Sequence, residues 1–183
     1  MINYIAHWDR ILIQSRVEII NELQDYKFRA ICPVGKSTKI KDYYSENINW
    51  RISKTKFFDI KAIFRLKNIL DNLDENSVIH IFTLKSGFFF MIAAYFSNKK
   101  FNSTLSITGL GYLFSNRLNT NMIRLFLKPI FVRLTNKTFK NIIYQNSNDE
   151  NLFNKYSKFT NNSYLIESSG LQGSQYLLKE KFN

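Results

Sequence analysis

The chain is poor in the residues that staple, break or metallate a fold. Its 183 residues include one cysteine, two histidines, two prolines and six glycines. A single thiol, Cys32, excludes an intrachain disulfide framework. With only His7 and His80 beside it, a dedicated zinc site lacks ligands. No internal repeat, low-complexity tract or interdomain linker is present. Nor does any apolar run reach the roughly 18 residues of a membrane-crossing helix; Phe88 to Phe96 has the length of a buried helix. The N-terminus, Met1-Ile2-Asn3-Tyr4-Ile5-Ala6, has neither the basic nor the long apolar region of a secretory signal, so a cytoplasmic location is expected. Triplets of the glycosylation type at Asn102, Asn136 and Asn161 are by-products of an asparagine-rich composition. Acidic residues are also few, 14 against 26 lysines and arginines, which gives a net charge of +12. Such an excess favours an anionic partner: lipid headgroups, a pyrophosphate or nucleic acid.

What the chain does have is apolar residues, 45% of the total, enough for one core and one domain spanning 1–183. They come in short runs between polar turns. Ile2 to Ala6, Phe28 to Cys32, Ile48 to Ile52, Val78 to Phe82 and Phe101 to Ile107 read as strands. Helical patterns lie between several of them. Ile11 to Leu23 places Leu12, Ile19, Ile20 and Leu23 on one face, and Asp59 to Leu73 does the same with Ile60, Ile63, Phe64 and Leu70. The apolar run Phe88 to Phe96 reads as a third helix. Alternating β and α segments predict an α/β fold: a Rossmann-like parallel sheet with helices on both faces, working at the C-terminal strand ends.

Several of those ends carry suggestive chemistry. Lys85 follows the strand Val78 to Phe82 in the turn Thr83-Leu84-Lys85-Ser86-Gly87, ahead of a helix N-terminus where free N–H groups and the helix dipole favour a phosphate. One βα unit later, Thr108-Gly109-Leu110-Gly111 ends a strand with two glycines that permit close backbone approach to a sugar or diphosphate. Gly35-Lys36-Ser37 matches the end of a phosphate-binding P-loop, but the earlier glycine is replaced by Ala30, so an ordinary βα turn is the better reading. His80, inside a strand, reads at least as well as a hydrogen-bonded core histidine as a catalytic one.

The pattern HxxTxKxG from His80 to Gly87, followed by Thr108-Gly109-Leu110-Gly111-Tyr112-Leu113-Phe114, resembles the N-terminal, acceptor-side domain of bacterial family 4 glycosyltransferases. The likeness continues through Ile142 to Asn146, Asp149-Glu150 and Tyr164 to Leu171, which it implies are the last strands and helix of the domain, although the aspartate usual after the last turn is missing. It implies one half of a two-domain GT-B enzyme that moves a sugar from a nucleotide-sugar donor, a substrate rather than a cofactor, to a glycan. The acceptor implied is linked to a polyprenyl diphosphate, in capsule, O-antigen or other surface glycoconjugate synthesis. Lys85, Ser86, Gly87, Thr108, Gly109 and Gly111 would bind acceptor or diphosphate. His7 and Asp9, where the first strand ends, would suit a general base if the transfer inverts the anomeric carbon; no metal is implied. The donor-binding domain, with its paired glutamates, has no counterpart after Ile166. Activity is therefore expected only with a further domain or subunit.

Arg117 to Lys140 combines apolar residues with Arg117, Arg124, Lys128, Arg133 and Lys137, a helical pattern divided at Pro129. It predicts partial burial, with basic residues near anionic headgroups on the inner face of the cell membrane. No RNA-recognition, helix-turn-helix or zinc-finger pattern occurs, and no nucleic-acid partner is expected. The alternative is a non-catalytic membrane-binding or subunit module that reuses the fold.

Overall fold

A computed structural model of the chain describes residues 1–35, 40–53, 59–75, 77–97, 99–110 and 131–167. The described strands are β1 (Ile2–Ala6), β2 (Phe28–Cys32), β3 (Glu46–Asn49), β4 (Val78–Phe82), β5 (Asn102–Ile107), β6 (Asn141–Tyr144) and β7 (Asn162–Leu165). The helices are α1 (Asp9–Glu22), α2 (Ile40–Tyr43), α3 (Ile60–Asp71), α4 (Leu84–Phe96), α5 (131–138) and α6 (Ser147–Ser157). All seven strands are parallel, in the order β3-β2-β1-β4-β5-β6-β7. This is a Rossmann-like α/β sheet, as the alternating pattern predicts. Its strand order reverses between β1 and β4, and the crevice at such a switch point is where sheets of this kind hold ligands.

Side chains alternate across the strands, so one sheet carries two cores. Ile5, Ile31, Ile79, Ile81, Leu105 and Ile142 face α3 and α4, together with Phe139 and Phe153. On the other face Tyr4, Ala6, Phe28, Ala30 and Phe82 meet Leu12 and Ile20 of α1 and Ile40 of α2. Runs buried on both sides, such as Ala30-Ile31-Cys32 of β2, follow from coverage on both faces.

The structure moves several boundaries. The third strand is Glu46–Asn49, not Ile48 to Ile52. Trp50 and Ile52 leave it to enter the core, where the Trp50 indole donates to the Ala62 carbonyl at 3.0 Å. On α3 the buried stripe is Ala62, Ile63, Leu66 and Leu70, whereas Ile60 and Phe64 are exposed. On α1 it runs Leu12, Arg16, Ile20, and Leu23 is outside. Helix α4 begins four residues earlier than Phe88, because Thr83 caps it by accepting the Ser86 N–H. Lys85, Ser86 and Gly87 are therefore first-turn residues and not a loop.

Of the basic segment, Arg117, Arg124 and Lys128 lie outside the described residues. In α5, Phe131 and Leu134 pack against the core while Arg133 and Lys137 are exposed. The Lys137 ammonium sits 5.5 Å from the centre of the Tyr95 ring. Among the described residues no helix is long and apolar enough to cross a membrane. Asn136 is committed internally: its amide donates to the Val132, Ser157 and Lys158 carbonyls, and its oxygen accepts from Thr160.

Candidate functional site at the strand switch point

The ends of β1 and β4 lie side by side, with Ala6 in register with Phe82, and Phe82 with Ser106 of β5. The next residues of each strand are therefore thrown together. The His7 backbone N–H donates to the Ser86 hydroxyl at 2.9 Å, and His7 Nδ1 lies 2.9 Å from Thr83 Oγ1 and 3.2 Å from Ser86 Oγ. The two hydroxyls are 3.2 Å apart. An imidazole whose Nδ1–H is donated to these oxygens keeps its lone pair on Nε2, which is the arrangement that accepts a proton.

Thr83 holds this cluster in a strained backbone, at φ 77° and ψ 149°. A β-branched residue is rare there, and such conformations cost on the order of 1–3 kcal/mol. Three contacts over-determine it: its N–H donates to the Ser106 carbonyl at 2.9 Å, its carbonyl accepts the Gly87 N–H at 3.0 Å, and its hydroxyl caps α4. Strain held in this way concentrates at functional sites.

The residues anticipated as phosphate ligands have distinct placements. The Lys85 ammonium donates to the Ser53 carbonyl at 2.7 Å, beyond β3, with the Asp59 carboxylate close enough to favour its charge. Partial burial nevertheless holds its pKa below the ordinary lysine value. Ser86 is fully buried. Gly87 packs: a Cβ there would come within 2.7 Å of a Leu105 methyl, so the missing side chain lets α4 approach β5. Thr108 and Gly109 are exposed at the end of β5, and Gly109 at φ 139° occupies glycine's own region facing open space. Gly111 lies outside the described residues.

Asp9 is 5% exposed, in the first turn of α1, where the helix dipole favours a carboxylate. Its Oδ1 accepts the Arg10 N–H at 3.0 Å. Gly35, at the end of β2, presses on it so closely that a Cβ would fall 1.9 Å from Oδ2. The glycine of the near-miss P-loop thus makes room for the aspartate, and Asp9 does not join the His7 cluster in any described hydrogen bond. Beside β2 and β3, a cleft of about 380 Å³ is lined by Val34, Asn49, Arg51, Ser53, Asp59 and Arg65.

His80 hydrogen-bonds Ser106 Oγ through Nε2 at 2.7 Å and stacks on Phe82 with ring centres 4.2 Å apart. Burial, with the Arg16 guanidinium nearby, pushes its pKa down to about 3, so the ring stays neutral. Arg16 had no place in the sequence reading. Its only signal was a cation where α1 should have presented an apolar residue. Among the described residues no group of three metal-ligating side chains occurs. No protein-family model matches the chain, and no curated protein matches it at a significant level.

Proposed function

We propose that the chain is the acceptor-side domain of a GT-B glycosyltransferase resembling the bacterial family 4 enzymes, which elongates a glycan carried on a polyprenyl diphosphate. The observation that carries the reading is the His7–Thr83–Ser86 cluster at the switch point, with strained Thr83 beneath it. In this reading His7, oriented through Nδ1, is the group nearest the acceptor hydroxyl, and its Nε2 takes the proton if the transfer inverts. Lys85 supplies positive charge at the same edge, and the exposed Thr108-Gly109 backbone approaches the sugar or diphosphate. Asp9 shapes the first βα turn. A nucleotide-sugar is the donor, bound largely by a second domain or subunit. Exposed Arg133 and Lys137 support contact with anionic headgroups, each worth about 1 kcal/mol near such a surface.

The test is genetic and chemical. Cells lacking the gene, complemented with wild-type or Lys85→Ala protein, are extracted and their lipid-linked glycans sized by mass spectrometry. Glycans truncated in the deletion and in the variant, and restored by wild type, are expected. An unchanged glycan profile in the deletion strain sinks the reading, and vesicle binding by the protein in that case favours the membrane-module alternative.

A further inference from the structure

Arg16 sits in the middle of the buried stripe of α1 and is 6% exposed. It forms neither of the two ion pairs found among the described residues, Arg29–Glu46 and Lys67–Asp71, and its buried Nε has no hydrogen-bond acceptor. A ring lies against it: Cζ stands 4.5 Å from the centre of Phe82. An Nε–H buried with no oxygen to receive it is costly, because it has lost water and gained little in return.

The side chain borders a cleft of about 130 Å³ between α1 and the β4–β6 part of the sheet, walled also by His80, Ser106, Ile143, Gln145 and Ile166. None of these walls is acidic. Ser106 and Gln145 offer neutral polar groups. With hydrogen on Nε2, His80 donates to Ser106 Oγ and leaves the serine proton for the cleft. A planar fork of donors, a hydroxyl and an amide around one small space match the lone pairs of a carboxylate or phosphate.

We propose that this cleft binds an oxyanion group, carboxylate or phosphate, whose principal partner is the Arg16 guanidinium. The site uses none of the His7 cluster and does not depend on the glycosyl-transfer reading. Its space equals the liquid volume of ~4 water molecules, enough for one such group and too little for a whole sugar nucleotide.

The full-length chain is titrated with inorganic phosphate and, separately, with glucuronate, against sodium chloride at matched ionic strength, and thermal unfolding is followed. The expected result is a saturable rise in Tm with at least one of the two anions beyond the chloride control. Phosphate alone marks a phosphate ligand; glucuronate alone marks a carboxylate. Arg16→Met should weaken that binding roughly tenfold or more, the loss expected for a charge-assisted pair. Ser106→Ala, which keeps the cation, serves as the second variant and should weaken it less. No anion-specific rise in the wild type, or an equal rise in Arg16→Met, overturns the proposal and leaves the cleft to water.

Discussion

His7 and Ser86, 79 positions apart in sequence, are joined by a hydrogen bond from the His7 backbone N–H to the Ser86 hydroxyl at 2.9 Å. The bond ties the end of β1 to the first turn of α4 across the switch point. Ser86 is wholly buried, so no water replaces it as the acceptor. Ser86→Ala should therefore strand the N–H and destabilise the fold by about 1–3 kcal/mol. Urea unfolding measures this, and a variant as stable as wild type would show the bond to be dispensable.

Gly35 and Asp9 are coupled by contact. A methyl at Gly35 would fall 1.9 Å from Asp9 Oδ2, so Gly35→Ala must displace the carboxylate or the loop after β2. A loss of about 1–3 kcal/mol is expected, the usual cost of overpacking. In an Asp9→Ala background the same change should cost much less, and a double-mutant cycle reads the difference. Strict additivity would mean the clash relaxes elsewhere.

His80 makes stability depend on pH. Its folded pKa, about 3, lies below the ordinary 6.5, so between those values the unfolded chain binds a proton that the folded chain does not. Stability therefore falls as pH drops from 6.5 toward 3. Glu46 and Asp71 are held below their ordinary 4.5 and 3.8 by hydrogen bonds from Arg29 and Lys67, and their contributions persist above those values. The stretch from pH 6.5 to 5 thus separates His80 from these carboxylates, and His80→Asn should flatten the slope of unfolding free energy measured there. An unaltered slope would show that burial of His80 does not set it.

Cys32 should be inert in the folded protein. It is fully buried, and burial, aided by the Asp9 carboxylate, pushes its pKa up to about 12. The thiolate is the reactive form. Modification by a thiol reagent at pH 8 should proceed only through unfolding and accelerate with urea in step with it. Rapid stoichiometric labelling without denaturant would contradict the burial.

The order of strands and helices was legible because each is a local matter. Ile2–Ala6, Phe28–Cys32 and Val78–Phe82 are bounded as their apolar runs are bounded. The start of α4 was not. Gly87 disfavours a helix locally, and what lets it sit inside one is the close contact with Leu105, a residue of the next strand. The buried face of α3 went the same way. Ile60 and Phe64 fit the apolar period, but Ala62 and Leu66 face the sheet, since the sheet fixes the rotation of the helix.

Sequence alone determined the α/β class and brought His7, Lys85, Thr108 and Gly109 to strand ends, because periodicity and turn chemistry act over a few residues. The tertiary structure decided which ends are neighbours. The β1–β4 pairing joins His7 to Thr83 and Ser86, Lys85 reaches Ser53, and Gly35 holds Asp9. It also set Arg16 beside the Phe82 ring and at the rim of a cleft it shares with His80 and Ser106. Those encounters depend on strand order and on which face of the sheet each helix covers. Both are settled by burying two cores at once, a requirement that no short window of residues records.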